Sequence, residues 1–415
     1  MMSKYLYRTL FSILHGLILS YFTWFWLNQP FTFGQENILI QTSAIFSKLI
    51  LGQDTHKPPS DSLVFIHVGD DKMLMEVEDG KKTIFTDRTQ LAKFFEILNR
   101  HPQDYRYVIC DILFEDPTPD DHRLKKAIEQ TDRMIAAGLS AYCMPRPQKA
   151  PLFDISYGLV EYVASSEGNV FKFKLSDSNH CKSLPLKMYE DIYQTQFYEN
   201  TYGYHFIEDQ LSLNALVIDY KIRNHDIYQK RMYKYISLYR LLNLLEAHEH
   251  FFWEEFLKDR IIVLGDFEKD YIQSSFGELS GSLMLLNVYL ALVNQENIIP
   301  LSLIIFLILC YSLISYFLFY KPVFRSRLLL ERFRKSSFVK NFAYLCILIG
   351  VSLCTYLIYK VPVNILIIVI YLEIMACLIK IRRQRKTFRD IAQSFKRYFL
   401  IEKANLENYN KHTKS

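Results

Sequence analysis

The chain has 415 residues, 50% hydrophobic and 22% charged, with a formal net charge of +5. A mean hydropathy of +0.02 over that length excludes a disordered polar chain, which would be poor in apolar residues. The basic excess is small and sits beside apolar segments, so it calls for no nucleic-acid partner.

Residues 1–9 carry Lys4 and Arg8 and lead into an apolar segment, 10–27, which has His15 but no Lys, Arg, Asp or Glu. That length suffices to cross the hydrocarbon core as a helix. Tyr21, Trp24 and Trp26 crowd its far end, as at a membrane interface. A cleaved signal peptide is the competing reading, but WLNQPFTFG after the segment offers no small-residue cleavage site. An uncleaved anchor is expected.

The block 28–297 alternates short apolar runs with helical patterns. Gln35 to Leu51 reads as a helix continuing outward from the first span. SLVFIHVG (62–69) reads as a strand, and DRTQLAKFFEIL as a helix with Leu91, Phe94, Phe95 and Leu98 on one face. YRYVICDILF (105–114) is the next strand, DDHRLKKAIEQ a helix with Asp120 placed to cap it, and MIAAGLSAY a further strand. The runs are apolar throughout, as for strands covered on both faces. The expected fold class is α/β, a mostly parallel sheet with helical crossovers, plus four transmembrane helices. After Tyr142 comes a loop, then LVEYVASSEGNVFKFKL, which reads as a hairpin turning at Glu167–Asn169. A helix over 184–197, strands at 215–220 and 260–266, and an apolar helix at 282–295 complete the block.

Three more apolar segments follow: 298–320, 342–359 and 361–379. The loop 321–341 is basic and the residues after the fourth segment read KIRRQRKTFR. Basic flanks stay cytoplasmic, so four crossings put the N-terminus, the basic loop and the tail 380–415 inside and the large block outside. The tail carries Phe388, Ile391, Phe395, Phe399 and Leu406 at roughly helical spacing, a pattern suited to an amphipathic helix on the inner leaflet or on a partner. Cys110, Cys143 and Cys181 are the cysteines of the outer block. Cys110 lies in an apolar strand and reads as buried, and a Cys143–Cys181 bridge is compatible with the odd count.

Predicted strands end on or beside Asp70 and Asp71, Asp111 and Asp116, Asp219, and Asp266, with Asp270 close behind. Ligands of open α/β sheets sit outside the carboxyl ends of the strands. These carboxylates are therefore the candidate ligand or cation site, with Ca²⁺ or Mg²⁺ the ions that hard oxygens suit. The competing reading is that each carboxylate caps a helix or satisfies loop N–H groups. Asp111 lies inside an apolar strand and needs a partner, for which Arg88 and Arg106 are the ion-pair candidates. His67, inside the first strand, reads as an interior histidine. Glu373 sits within the fourth span, where a carboxylate marks a candidate functional position, within reach of Lys380 or Arg382. The aromatic run YEDIYQTQFYENTYGYHF reads as a surface helix. The sequence has no Walker loop, HExxH, G-x-S-x-G or paired CxxC, so no catalytic residue and no cofactor is expected.

CDILFEDPTPDDHRLKKAI resembles a motif of the CHASE2 family, extracytoplasmic sensor domains of bacterial transmembrane receptors. VFIHVGDDKML is similar to that family's first strand, DRTQLAKFFEIL to its arginine-led first helix, NALVIDYK to a later strand and LKDRIIVLGDFEKD to the last. One span before the domain and three after it also match. TIFTD, SSFG and LLN depart from family positions, and no effector domain follows the last span. The resemblance implies an inner-membrane sensor that relays a signal to a separate membrane or cytoplasmic protein partner. A homodimer is compatible with it. The alternatives are a scaffold subunit of an envelope complex and an envelope enzyme using the acidic strand ends.

Overall fold

A computed structural model describes residues 2–32, 36–51, 57–70, 72–76, 82–143, 150–165, 168–177, 181–218, 220–229, 231–274, 277–320 and 337–383. Helices α1 (Met2–Leu27) and α2 (Glu36–Leu51) precede strand β1 (Leu63–His67). The hairpin β2 (Lys72–Glu76) and β3 (Lys82–Thr86) leads to α3 (Arg88–Arg100), β4 (Tyr107–Cys110), α4 (Asp121–Ile128), β5 (Met134–Gly138), α5 (Ser140–Cys143) and β6 (Tyr157–Leu159). Then come β7 (Lys172–Lys174), α6 (Leu184–Tyr193), β8 (Phe197–Glu199), β9 (His205–Ile207), β10 (Gln210–Ser212), β11 (Ala215–Val217) and α7 (Asn224–Tyr228). Next are β12 (Lys234–Ser237), α8 (Leu238–Phe256), β13 (Ile261–Gly265), β14 (Tyr271–Ser274), β15 (Gly277–Ser280) and α9 (Gly281–Val293). The last helices are α10 (Leu301–Tyr320), α11 (Ser337–Tyr359) and α12 (Ile365–Arg383).

The chain divides into two units, Ser20–Leu307 with Ile349–Asn364, and Met1–Leu19 with Ile308–Leu348 and Ile365–Ser415. The first is built on a sheet of six strands in the order β12-β1-β13-β4-β5-β6, every pairing parallel. Successive side chains of a strand point to opposite faces, and the two faces carry separate cores. Leu63, Phe65, Tyr107, Ile109, Ile261 and Val263 pack with residues of α6 and α9. Val64, Ile66, Val108, Cys110, Ile262 and Leu264 pack with α3, α4 and α8. That two-sided cover is why the strands read as unbroken apolar runs. Helix α3 forms as its pattern requires: Asp87 caps it by accepting from the N–H groups of Thr89 and Gln90, at 2.8 and 3.1 Å. Leu91, Phe94, Phe95 and Leu98 are buried on its inner face.

Several expectations are corrected. The stretch from Leu159 to Leu175 is not a hairpin. The chain does turn at Ser165–Asn169, where Gly168 has φ +81°. Its flanking strands part, β6 extending the main sheet beside β5 and β7 pairing antiparallel with β11. The strand at 215–220 accordingly lies outside the main sheet, whose edge place is taken by β12. The helix at 184–197 stops at Tyr193, because Gln194 takes a left-handed conformation. Only Tyr189–Tyr193 of the aromatic run is helical, as the end of α6; the rest supplies strands β8 and β9 of the three-stranded β8-β9-β10 sheet. Asp120 makes no side-chain cap. Asp121 accepts from the Thr118 N–H and hydroxyl instead, at 2.6 and 2.9 Å. Cys143 and Cys181 form a disulfide with Cα atoms 5.5 Å apart, and Cys110 is buried.

Among the described residues, two helices are long and apolar enough to cross a membrane, Tyr5–Leu27 and Leu301–Phe319. The apolar parts of the other two, Leu345–Tyr359 and Ile365–Met375, are shorter, so two helices and not four meet that test. The expected fourth segment, 361–379, becomes helical only from Ile365, because Val361–Asn364 is an extended link holding Pro362, after Lys360 at φ +57°. Proline removes a donor and disfavours helix in the residue before it. In the second unit, the Tyr371 hydroxyl meets His15 Nδ1 at 2.9 Å. A Cβ on Gly16 would meet the Ser312 hydroxyl at 2.2 Å, so α1 and α10 cross at small residues. Glu373 is exposed on α12. The side chains of Lys380 and Arg382 and the expected tail helix lie outside the described residues.

Candidate functional site at the carboxyl end of the sheet

Strands β1, β13 and β4 are adjacent and parallel, so the chain leaves all three at one edge. The register pairs His67 with Gly265 and Leu264 with Cys110. His67, Asp266 and Asp111 are therefore brought together from positions up to 200 residues apart. Three of the acidic candidates have distinct surroundings. Asp266 accepts Lys72 Nζ at 2.5 Å and the N–H groups of Glu268 and Lys269 at 3.1 and 3.0 Å. Burial works to raise its carboxyl, but that ammonium and those amides hold it below its ordinary value.

Asp111 faces α9, and the Ser282 hydroxyl donates to it at 2.7 Å. It keeps some contact with solvent, yet dense packing pushes its carboxyl up to about 6, against the Ser282 bond and with help from the nearby Asp270 charge. Asp270 is itself raised, by partial burial and then by Asp266. Its backbone carbonyl accepts from the Gly281 N–H at 2.9 Å. Asp71 and Asp219 lie outside the described residues.

The expected arginine partners of Asp111 are elsewhere. Arg88 is buried at the start of α3, 3.5 Å from Asp121 and stacked over Phe114 at 4.6 Å. Desolvation lowers its guanidinium and Asp121 offsets part of that. Arg106 is exposed at the opposite, amino-terminal end of β4. The single pool of carboxylates expected at the strand ends is thus divided. Asp266 is neutralised by a lysine, and Asp111 turns toward a serine.

What does converge is a histidine and two carboxylates. His67 is 2% exposed. Its Nδ1 accepts from the Phe267 N–H at 3.2 Å, and its Nε2 lacks a hydrogen-bond partner among the described residues. Nε2 lies 3.9 Å from Glu268 Oε2. The ligand atoms of His67, Asp70 and Glu268 all fall within 4.8 Å of one another. Asp70 and Glu268 are exposed, and the Tyr235 hydroxyl on β12 donates to the other Glu268 oxygen at 2.9 Å. Gly69 closes over the group: a Cβ there would lie 2.5 Å from His67 Nε2 and 2.8 Å from Asp266 Oδ1. Sequence reading singled out Asp70 and took His67 as interior. Glu268, Lys72 and Ser282 were missed. The only signal for Glu268 was its place two residues beyond a strand-ending Asp, and nothing marked Lys72 or Ser282 before the strand neighbours were known.

This is the architecture of an α/β domain with its chemistry at the ends of parallel strands. The family model for the CHASE2 domain matches residues 31–317, and the chain belongs to that family of extracytoplasmic sensor domains. No curated protein and no solved structure matches it.

Proposed function

We propose that the chain is a membrane-anchored sensor that relays the state of its outward CHASE2 domain to a separate protein partner across the inner membrane. The domain comprises residues 28–297. It is held by four crossings, near 10–27, 298–320, 342–359 and 361–379, with the basic loop 321–341 and tail 380–415 inside. Charge asymmetry supports that orientation. So does the Cys143–Cys181 disulfide, since such bonds persist in oxidising compartments.

The observation that carries the reading is how the chain leaves the domain. One short segment grips both exits. The Leu213 N–H donates to the Asn297 carbonyl at 2.8 Å and the Ile299 N–H to the Leu211 carbonyl at 2.9 Å. The Asn297 amide donates to the Ser212 hydroxyl at 2.8 Å. One residue on, the Asn214 N–H donates to Asn28 Oδ1 at 2.8 Å. Residues 28 and 297, the two ends of the domain, are therefore tied to consecutive residues. A shift of that segment moves both exits together, which a relay requires and a passive anchor does not.

The test is to insert four glycines after Glu296. The variant should accumulate in the membrane like the wild type but fail to restore the phenotype of a deletion strain, because a flexible linker transmits little displacement. Full restoration would remove the mechanical basis of the relay. Cysteines placed at 332, 396 and 169 test the topology: only position 169 should react with an impermeant reagent on intact cells.

A further inference from the structure

We infer that His67, Asp70 and Glu268 form a binding site for a divalent first-row transition-metal ion. The inference deepens the sensor reading by naming the class of ligand, and it rests on that reading only for what binding accomplishes.

Three observations converge. The donors are the right kind: one imidazole and two carboxylates suit zinc or its neighbours, whereas calcium and magnesium prefer oxygen alone. Among the described residues, Nε2 of the buried His67 has no hydrogen-bond partner, and it lies close to both carboxylates. Lone orphaned imidazole nitrogens inside a fold are costly. Finally, Gly69 keeps a side chain off the imidazole edge that carries that nitrogen: a Cβ there would overlap the ring, 2.3 Å from Cε1 and 2.5 Å from Nε2. Local charge agrees. Lys72 neutralises Asp266, which leaves the two carboxylates of Asp70 and Glu268 to balance a doubly charged ion.

The surroundings are arranged as metal sites usually are. Tyr235 fixes Glu268 through its second oxygen. Asp266 Oδ1 lies 3.9 Å from His67 Nδ1, the place of the carboxylate that orients a metal-bound imidazole. Nδ1 accepts from the Phe267 N–H, so a neutral ring carries its proton on Nε2. Ligation moves that proton to Nδ1, where Asp266 accepts it, and the Phe267 N–H gives up its bond. No proton is lost overall. The ion therefore remodels the turn 266–268 that follows β13, linking occupancy to backbone geometry at the strand end.

The experiment uses the full chain in lipid nanodiscs after chelator treatment, with Zn²⁺ titrated against a chromophoric chelator and Co²⁺ as the spectroscopic probe. Wild type should take up Zn²⁺ that excess Mg²⁺ or Ca²⁺ does not displace. Asp70→Asn, Glu268→Gln and Gly69→Ala should each weaken it by about tenfold or more. The first two alter exposed side chains, so their metal-free melting temperatures should match wild type. Gly69→Ala removes no ligand and acts by pushing the His67 ring from its place. Co²⁺ should give visible bands in wild type that Glu268→Gln loses. Absence of Zn²⁺ uptake, or uptake within twofold of wild type in both carboxylate variants, overturns the site. Binding lost in Glu268→Gln while that variant still restores the deletion phenotype would uphold the site and overturn its role as the sensed signal. The glycine insertion after Glu296 tests the relay independently.

Discussion

At the scale of single residues, the strand-end carboxylates show how environment assigns different states to the same side chain. Asp266 is kept ionised by an ammonium and two amides, whereas Asp111, one strand away, is raised to about 6 by burial. The raised value has a signed consequence. A carboxyl whose folded value exceeds its unfolded one contributes stability fully below the unfolded value, and that contribution is lost as pH rises through about 6. Ionised Asp111 thus costs at most on the order of 3 kcal/mol at neutral pH. Asp111→Asn, which keeps an acceptor for Ser282, should melt higher than wild type at pH 7.5, and the gap should close by pH 4. A gap independent of pH would show that Asp111 is not the group responsible. Gly158 marks the opposite kind of constraint. A Cβ there would meet Leu184 backbone atoms at 2.2 and 2.6 Å, and backbone cannot swing aside. Gly158→Ala should destabilise the domain by about 3 kcal/mol or more, read as loss of folded protein in a detergent melt.

At the scale of elements, the position of a strand in its sheet decided what its end could do. The run 215–220 has the composition of a central strand, yet it pairs with β7 away from the main sheet. Its apolar side chains are buried there equally well, so composition could not separate the two placements. The same region supplies the clamp on both exits. Asn214 holds it in shape by accepting from the Ser176 N–H and donating to the Ser176 carbonyl, both at 2.8 Å and both buried. Asn214→Ala leaves those groups unsatisfied and should cost about 1–3 kcal/mol. Faster hydrogen exchange should appear at 174–177 and 211–214 together. Loosening at 174–177 alone would mean the clamp does not depend on this residue.

At the scale of the whole molecule, two of the long-range ties within the first unit carry signed predictions. Glu36, at the start of α2, is 2.6 Å from Lys172 Nζ, and both are almost wholly buried. Trp26 Nε1 and the Asn364 amide donate to the other Glu36 oxygen at 2.8 and 3.0 Å. Removing one member of a buried pair costs about 3–5 kcal/mol, whereas replacing both with apolar groups costs far less. Lys172→Met should therefore melt well below wild type, and the double variant with Glu36→Leu should recover part of the loss. A double variant worse than either single one would contradict the pairing. The second tie is the disulfide, which closes a loop with a sequence separation of 38. Cys181→Ser should lower stability by about 2–4 kcal/mol, and reductant should bring wild type down to the same melting temperature.

Local pattern determined a good deal by itself. The α/β class, the helices α2, α3 and α9 and the family could all be read from stretches of about ten to twenty residues, because periodicity and cap chemistry act over one or two turns of chain. Strand order, the edge place of β12, the partners of Asp111 and the meeting of His67 with Glu268 could not. Each depends on which distant segments lie side by side, and runs of similar composition satisfy burial in more than one arrangement. Asp120 and Asp121 make the same point at the smallest scale. Both could cap α4, and only the path of the Thr118 turn placed its N–H before Asp121. The candidate site belongs to this second class. Its histidine looks like an interior residue until β13 is set beside β1, and only then do its free nitrogen and the two carboxylates face one another.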